Sequence, residues 1–370
     1  MKLKKINDSN YEHLYYLITR GIDNKELYSG LAHVGEHVCL IPYYSSSKLH
    51  SDSHFAFGYT CINHACLYYC CSMGEEWLDE IENLILSCNI VNEKNVRYAK
   101  NQVIEECINL REITKEREEI VRFVTDNEIQ NFAMGNINEI KEIQCQDILN
   151  WLESIKKNII KIKFASINEL QSALKENMSY SSTILKKHKY ILEVKKHDEY
   201  FYINPTDKKM GVDIFLKLPI FYKKENFIMK AFLEYIFQII CKEKLGIDII
   251  ISEKNFNFSQ RFLSITIHGL SAVKIKKTII ELKTIFKEID TGEFTKLKSN
   301  FKTMMKKVLF EEKKNSDYIN EFQNYILYGK PIFGKEDIEL LNYIDNKKID
   351  LDLLTSWPLK IVVRDPNRII

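Results

Sequence analysis

The sequence predicts an α+β protein made of two similar halves. Three observations lead there: the length, the scarcity of chain breakers, and an order of strands and helices that starts again near the middle. At 370 residues and 45% hydrophobic content the chain is long enough for two cores, at roughly 150 residues per domain. Only 12 Gly and 6 Pro stand against 20 Tyr and 20 Phe, so disorder and low-complexity linkers are excluded.

In chain order, YEHLYYLIT at 11–19 has the composition of a strand, and GLAHVGEHVCL at 30–40 carries helical spacing after Ser29-Gly30. Residues 55–72 predict one or two strands, 75–90 and 93–122 predict helices, and further helices follow to about Lys157. The β-branched run IIKIKFASI at 159–167 predicts a buried strand, with a helix from Asn168. After a polar stretch at 177–188, strands are expected at YILEV (190–194) and VDIFLKL (212–218), then a helix at 225–243 and a strand at RFLSITIHG (261–269). Helices across 272–328 and 335–345 and a last strand, LKIVVR (359–364), complete the chain. The recurrence points to a duplication, with one α+β domain at 1–180 and a homologous one at 189–370.

Charge and cysteine usage narrow the function classes. The 53 basic and 51 acidic residues are interspersed and leave a net charge of +2, which disfavours nucleic acid as a partner. The opening MKLKKINDSNYEHLYYL places Asn, Asp, Ser and Glu where a secretory signal needs an apolar stretch, and no window holds 18 uncharged apolar residues. A soluble, cytoplasmic protein with no membrane partner is expected. The nine cysteines are odd in number and lack paired CxxC spacing, so they are expected to be reduced, mostly buried, small apolar residues. The basic helix at 296–314 also contains Glu311 and Glu312 and is expected to be a solvated face.

The chemistry lies in His33-Val34-Gly35-Glu36-His37. Residues four apart on a helix share a face, so His33 and His37 can offer two imidazole nitrogens to one metal ion, with Glu36 beside them. This HxxEH order reverses the commoner HExxH, and both supply two zinc ligands and a carboxylate able to take a proton from water. Catalytic zinc normally has three protein ligands and one open position, so a third ligand must come from elsewhere in the chain. The bland alternative is two polar histidines on a helix face. No GxSxG elbow is present to support a serine nucleophile instead.

From GLAHVGEHVCL onward the chain resembles the inverzincin peptidases of the pitrilysin, insulinase and mitochondrial processing peptidase group. The resemblance extends through FAFGYTCINHACLYYCCSM, LDEIENLI, AKNQVIEECINL and GNINEIKEIQCQDILNWLESIKKNIIKIKFASI. It implies two homologous domains forming a bowl-shaped half of a peptidase chamber, one Zn2+ per chain, and peptide hydrolysis with Glu36 as general base. The family's V-x-x-E segment matches Val103 to Glu106, which gives Glu106 the role of third ligand with Glu105 as the register alternative. A second Glu that many members carry upstream corresponds to Ala99. The edge strand that holds extended substrate in the family corresponds to Phe57, Gly58, Tyr59, Thr60 and Cys61, a case of β-augmentation.

One departure concerns partners. Members that hold the substrate carbonyl from their second half use an Arg and a Tyr around a segment that matches CKEKLGI, and here those positions are Ile240 and Ile247. The resemblance therefore implies a heterodimer in which a homologous subunit supplies the Arg/Tyr pair, with a slow or substrate-restricted enzyme that dispenses with the pair as the competing reading. Lys-, Ile- and Asn-rich composition fits an AT-rich bacterial genome, where small members of the group remove leader peptides from ribosomally made peptides. The alternative from another class is a noncatalytic scaffold or binding subunit of the same fold, against which the intact HxxEH argues.

Overall fold

The structure is a computed structural model. It describes residues 11–19, 28–44, 54–62, 64–129, 132–156, 159–166, 168–176, 199–217, 224–256, 261–270, 274, 277–281, 284–285, 291–311, 315–328, 330–346 and 360–366. Helices and two sheets are mixed along the chain, as the α+β expectation requires. The chain divides into two compact units. The first takes Met1–Lys115, Ile129–Lys186 and Lys313–Tyr328, and the second takes Glu116–Glu128, Lys187–Glu312 and Gly329–Ile370.

The first unit is built on an antiparallel sheet of β1 (Tyr11–Thr19), β2 (His54–Thr60), β3 (His64–Ser72) and β4 (Ile159–Phe164), in the order β2-β3-β1-β4. Successive side chains point to opposite faces, and both faces are apolar, so both must be covered. Leu14, Tyr16, Ile18, Leu67 and Tyr69 pack among residues of α1 (Leu31–Tyr44), α2 (Trp77–Leu86), α3 (Glu93–Asn109) and α6 (Cys145–Ile155). Tyr15, Leu17, Tyr68, Ile162 and Phe164 pack on the other side with Leu170 and Leu174 of α7 (168–176) and with Ile319, Phe322 and Ile326 of the helix Asn315–Tyr328.

The second unit repeats the plan. Its sheet holds β5 (Glu199–Ile203), β6 (Gly211–Lys217), β7 (Ile249–Asn255), β8 (Arg261–His268) and β9 (Lys360–Arg364), in the order β5-β9-β6-β8-β7. Without β5, this is the order of the first sheet with β6, β7, β8 and β9 standing for β1, β2, β3 and β4. One face packs under α8 (Lys224–Leu245) and the helix Thr291–Phe310 through Phe232, Ile236 and Phe301. The other packs Phe215, Phe262 and Val362 against Ile120 and Val124 of α4 (Arg111–Val124). Each unit thus receives a helical segment from the stretch of sequence that mainly builds the other.

Two strands were not anticipated from sequence, β5 and β7, and both lie at sheet edges, where most of their residues are only partly buried. The expected strand at 190–194 lies outside the described residues. The helix expected over 93–122 breaks at Leu110 into α3 and α4, and 335–342 winds as a 3₁₀ helix before a short helix, Tyr343–Asn346.

Candidate metal centre

Helix α1 is the buried axis of the first unit, with every residue from Leu31 to Ile41 buried. Such a helix can be apolar on all sides, and the polar residues it keeps are the exceptions to explain. They are His33, Glu36 and His37, which are 8%, 3% and 7% exposed. Between them, Gly35 lies against the indole of Trp151 on α6. A Cβ there would come within 2.4 Å of the ring, so the middle of the motif admits no side chain. The tyrosine hydroxyl of Tyr69 on β3 donates to the Cys39 carbonyl at 2.8 Å and ties the helix to the sheet.

His33 and His37 sit one turn apart with ring centroids 5.0 Å from each other. Helix α3 supplies the third group. Its start is capped by the Asn92 side chain, which accepts from the Asn95 N–H, and it buries Val96, Ala99, Val103 and Cys107 in the core shared with α1. This register turns Glu106 towards the two rings. One carboxylate oxygen lies 3.4 Å from His33 Nε2 and the other 3.5 Å from His37 Nε2. The three potential ligand atoms all lie within 4.8 Å of one another. Glu105 is exposed and does not join them.

The protonation states suit ligation. Burial, and then the neighbouring His33, lowers the pKa of His37 and favours the neutral ring. The hydrogen bond from His33 holds the Glu106 carboxyl below its ordinary value against the opposing effect of burial. Two imidazoles and one carboxylate are a donor set that fits a divalent ion such as zinc, so these side chains fit the group that the motif implies.

Glu36 faces the edge strand β2. The Thr60 hydroxyl donates to its Oε2 at 2.5 Å, and Gly58 leaves room for its carboxylate, since a Cβ at Gly58 would stand 2.7 Å from Oε1. Burial pushes the Glu36 pKa up to about 7, against the lowering effects of the Thr60 bond and His33. Of the five residues expected on the substrate strand, Gly58 and Thr60 thus look towards Glu36. Phe57 and Tyr59 pack on the opposite face with Tyr68, and the Tyr59 hydroxyl accepts from Gln323 at 2.6 Å. Cys61 lies just past the strand, its N–H spent on the His64 carbonyl at 2.7 Å. In the second unit, Ile240 is 1% exposed within the apolar core and Ile247 packs against that core, so neither position offers a polar group.

Sequence reasoning missed Gln102, whose side-chain oxygen lies 3.2 Å from His37 Nδ1. The available signal was its spacing, one turn before Glu106 on the same helix.

No protein-family model and no curated protein matches this chain. Among solved structures its fold recurs in proteases. The first half of the periplasmic protease PqqL from Escherichia coli matches with a TM-score of 0.71 at 14% identity, over 97% of this chain and 87% of that one. Against the longer PqqL structure the chain spans 45% of the length, with a TM-score of 0.72. A protease from Helicobacter pylori matches at 16% identity with a TM-score of 0.57, over 96% of this chain and 94% of that one. The ferredoxin protease FusC, solved with Arabidopsis ferredoxin, matches at 12% identity with a TM-score of 0.63, over 97% of this chain and 45% of that one.

Proposed function

We propose that this chain is a zinc-dependent endopeptidase subunit, with His33, His37 and Glu106 as ligands and Glu36 as general base. The observation that carries the reading is the meeting of three ligand-type atoms from α1 and α3, with a buried carboxylate one residue from His37. Zinc, when bound, would supply a Lewis acid that makes water nucleophilic near neutral pH. The chain's own residues do the rest. Glu36, held by Thr60, accepts a proton from water and passes it to the leaving amine. Edge strand β2 pairs with an extended peptide along the side where no other described strand lies, with Phe57 to Cys61 as the stretch engaged.

The carbonyl-holding Arg and Tyr come from a homologous partner subunit in this reading, because Ile240 and Ile247 are core residues here. Leader-peptide removal in the maturation of a ribosomally made peptide is the substrate class we favour. Among the described residues no helix is long and apolar enough to cross a membrane. Cytoplasmic placement rests on the sequence alone, PqqL is periplasmic, and cell fractionation decides it.

The test is metal analysis joined to cleavage of a peptide library. The parent chain should bind about one zinc, and His33→Ala or His37→Ala should lose it. Glu36→Gln should keep the metal and slow cleavage by about 10²- to 10⁴-fold, measured together with the Arg/Tyr partner. Equal cleavage by parent and Glu36→Gln removes the general base from this scheme.

A further inference from the structure

Helix α3 holds His37 at both ring nitrogens. Glu106 stands 3.5 Å from Nε2, and Gln102, one turn earlier, places its side-chain oxygen 3.2 Å from Nδ1. The Gln102 amide nitrogen in turn donates to the Tyr98 hydroxyl at 3.2 Å, another turn back. Tyr98, Gln102 and Glu106 therefore form one polar stripe at i, i+4, i+8 spacing, beside the buried stripe of Val96, Ala99, Val103 and Cys107.

We infer that Gln102 is a positioning residue for the metal centre, fixing the ring orientation and tautomer of His37, and that Tyr98 holds Gln102 in turn. This rests on the zinc reading proposed above. The chemistry is specific to the observed atoms. An imidazole that ligates through Nε2 carries its proton on Nδ1, and that proton needs a nearby acceptor in a buried site. The Gln102 oxygen is such an acceptor, and its amide nitrogen is kept from competing by its bond to Tyr98. His33 is held differently: its Nδ1 is buried and has no hydrogen-bond partner among the described residues. His37 is thus the ring whose geometry α3 enforces, and the chain commits two side chains to it beyond the ligand Glu106.

Zinc affinity of the full chain, measured by competition with a chromophoric chelator, tests the assignment. Gln102→Leu should weaken zinc binding about 10- to 100-fold. Gln102→Glu, which restores an acceptor, should bind at least as tightly as the parent, and Tyr98→Phe should fall between the parent and Gln102→Leu. In the zinc-loaded parent, ¹⁵N NMR should show a His37 Nδ1–H protected from solvent exchange, and Gln102→Leu should lose that protection. Should Gln102→Leu fail to fold, the order of Tyr98→Phe, Gln102→Glu and parent carries the test. Parent-like affinity in both Gln102→Leu and Tyr98→Phe overturns the role of Gln102 while leaving the metal centre intact. A parent chain that binds no zinc overturns the metal reading and this inference together.

Discussion

At the scale of single residues, the side chains that matter are set by what their neighbours leave open. Gly58 is a glycine because the Glu36 carboxylate occupies the space a Cβ would need. Gly58→Ala should therefore leave thermal stability close to the parent's, since the carboxylate can swing aside, yet reduce peptide cleavage by about 10²-fold, the usual cost of displacing a reacting group by an ångström. Cleavage at the parental rate with an unchanged Michaelis constant would contradict that. A second residue-scale prediction concerns acid. Burial favours the neutral form of Glu253, but Lys230 and Lys330 outweigh it, with Arg261 donating at 2.8 Å, and the carboxyl is held at about 2. A carboxyl with a depressed folded pKa stabilises the protein above its unfolded value of 4.5, and that stabilisation, about 3 kcal/mol, drains away as pH falls from 4.5 towards 2. Denaturant titrations across that window should show the loss in the parent and a flatter profile in Glu253→Gln, which should also be less stable at neutral pH because it removes the negative charge that Lys230 and Arg261 share.

At the scale of elements, α1 explains why the site could be found from sequence and α3 why only part of it could. The HxxEH spacing places both histidines on one helical face whatever packs around them, so His33, Glu36 and His37 were legible as local chemistry. Glu106 is contributed by a separate helix, and only the register of Val96, Ala99 and Val103 against the core turns it, rather than Glu105, towards the rings. Spacing puts Gln102 on the face of Glu106, but its contact with His37, like the Thr60 bond to Glu36, depends on how α3 and β2 sit against α1, which no local pattern encodes. The same packing gives an element-scale prediction. Gly35→Ala forces the indole of Trp151 to move, an overpacking that should cost about 1–3 kcal/mol in chemical denaturation. Gly35→Ala combined with Trp151→Leu should recover part of that loss, and a double variant no better than the sum of its singles would place the strain elsewhere.

At the scale of the whole molecule, the strand order recurs between the two sheets, and this was visible in the sequence as a restart of strand and helix signals. Central strands such as β1, β6 and β8 were legible because both of their faces are buried and the apolar run is dense, whereas β5 and β7 lie at the edges and are mostly only partly buried. What the sequence concealed is the exchange of helices. The outer face of the first sheet is covered by Ile319, Phe322 and Ile326, more than a hundred residues after its last strand. Residues 1–180 produced alone should consequently lack a cooperative thermal transition, and joining the segment 313–328 to them through a flexible linker should restore one. Sharp, parent-like melting of 1–180 by itself would show that the covering helix is dispensable.

The exchanged helix also imposes a timetable. On the ribosome, the histidines and Glu106 emerge early, yet the sheet that braces them keeps one oily side wet until synthesis has passed residue 328. A nascent chain released before that point leaves that side uncovered, so the scaffold around His33, His37 and Glu106 is finished only after residues 313–328 have been made.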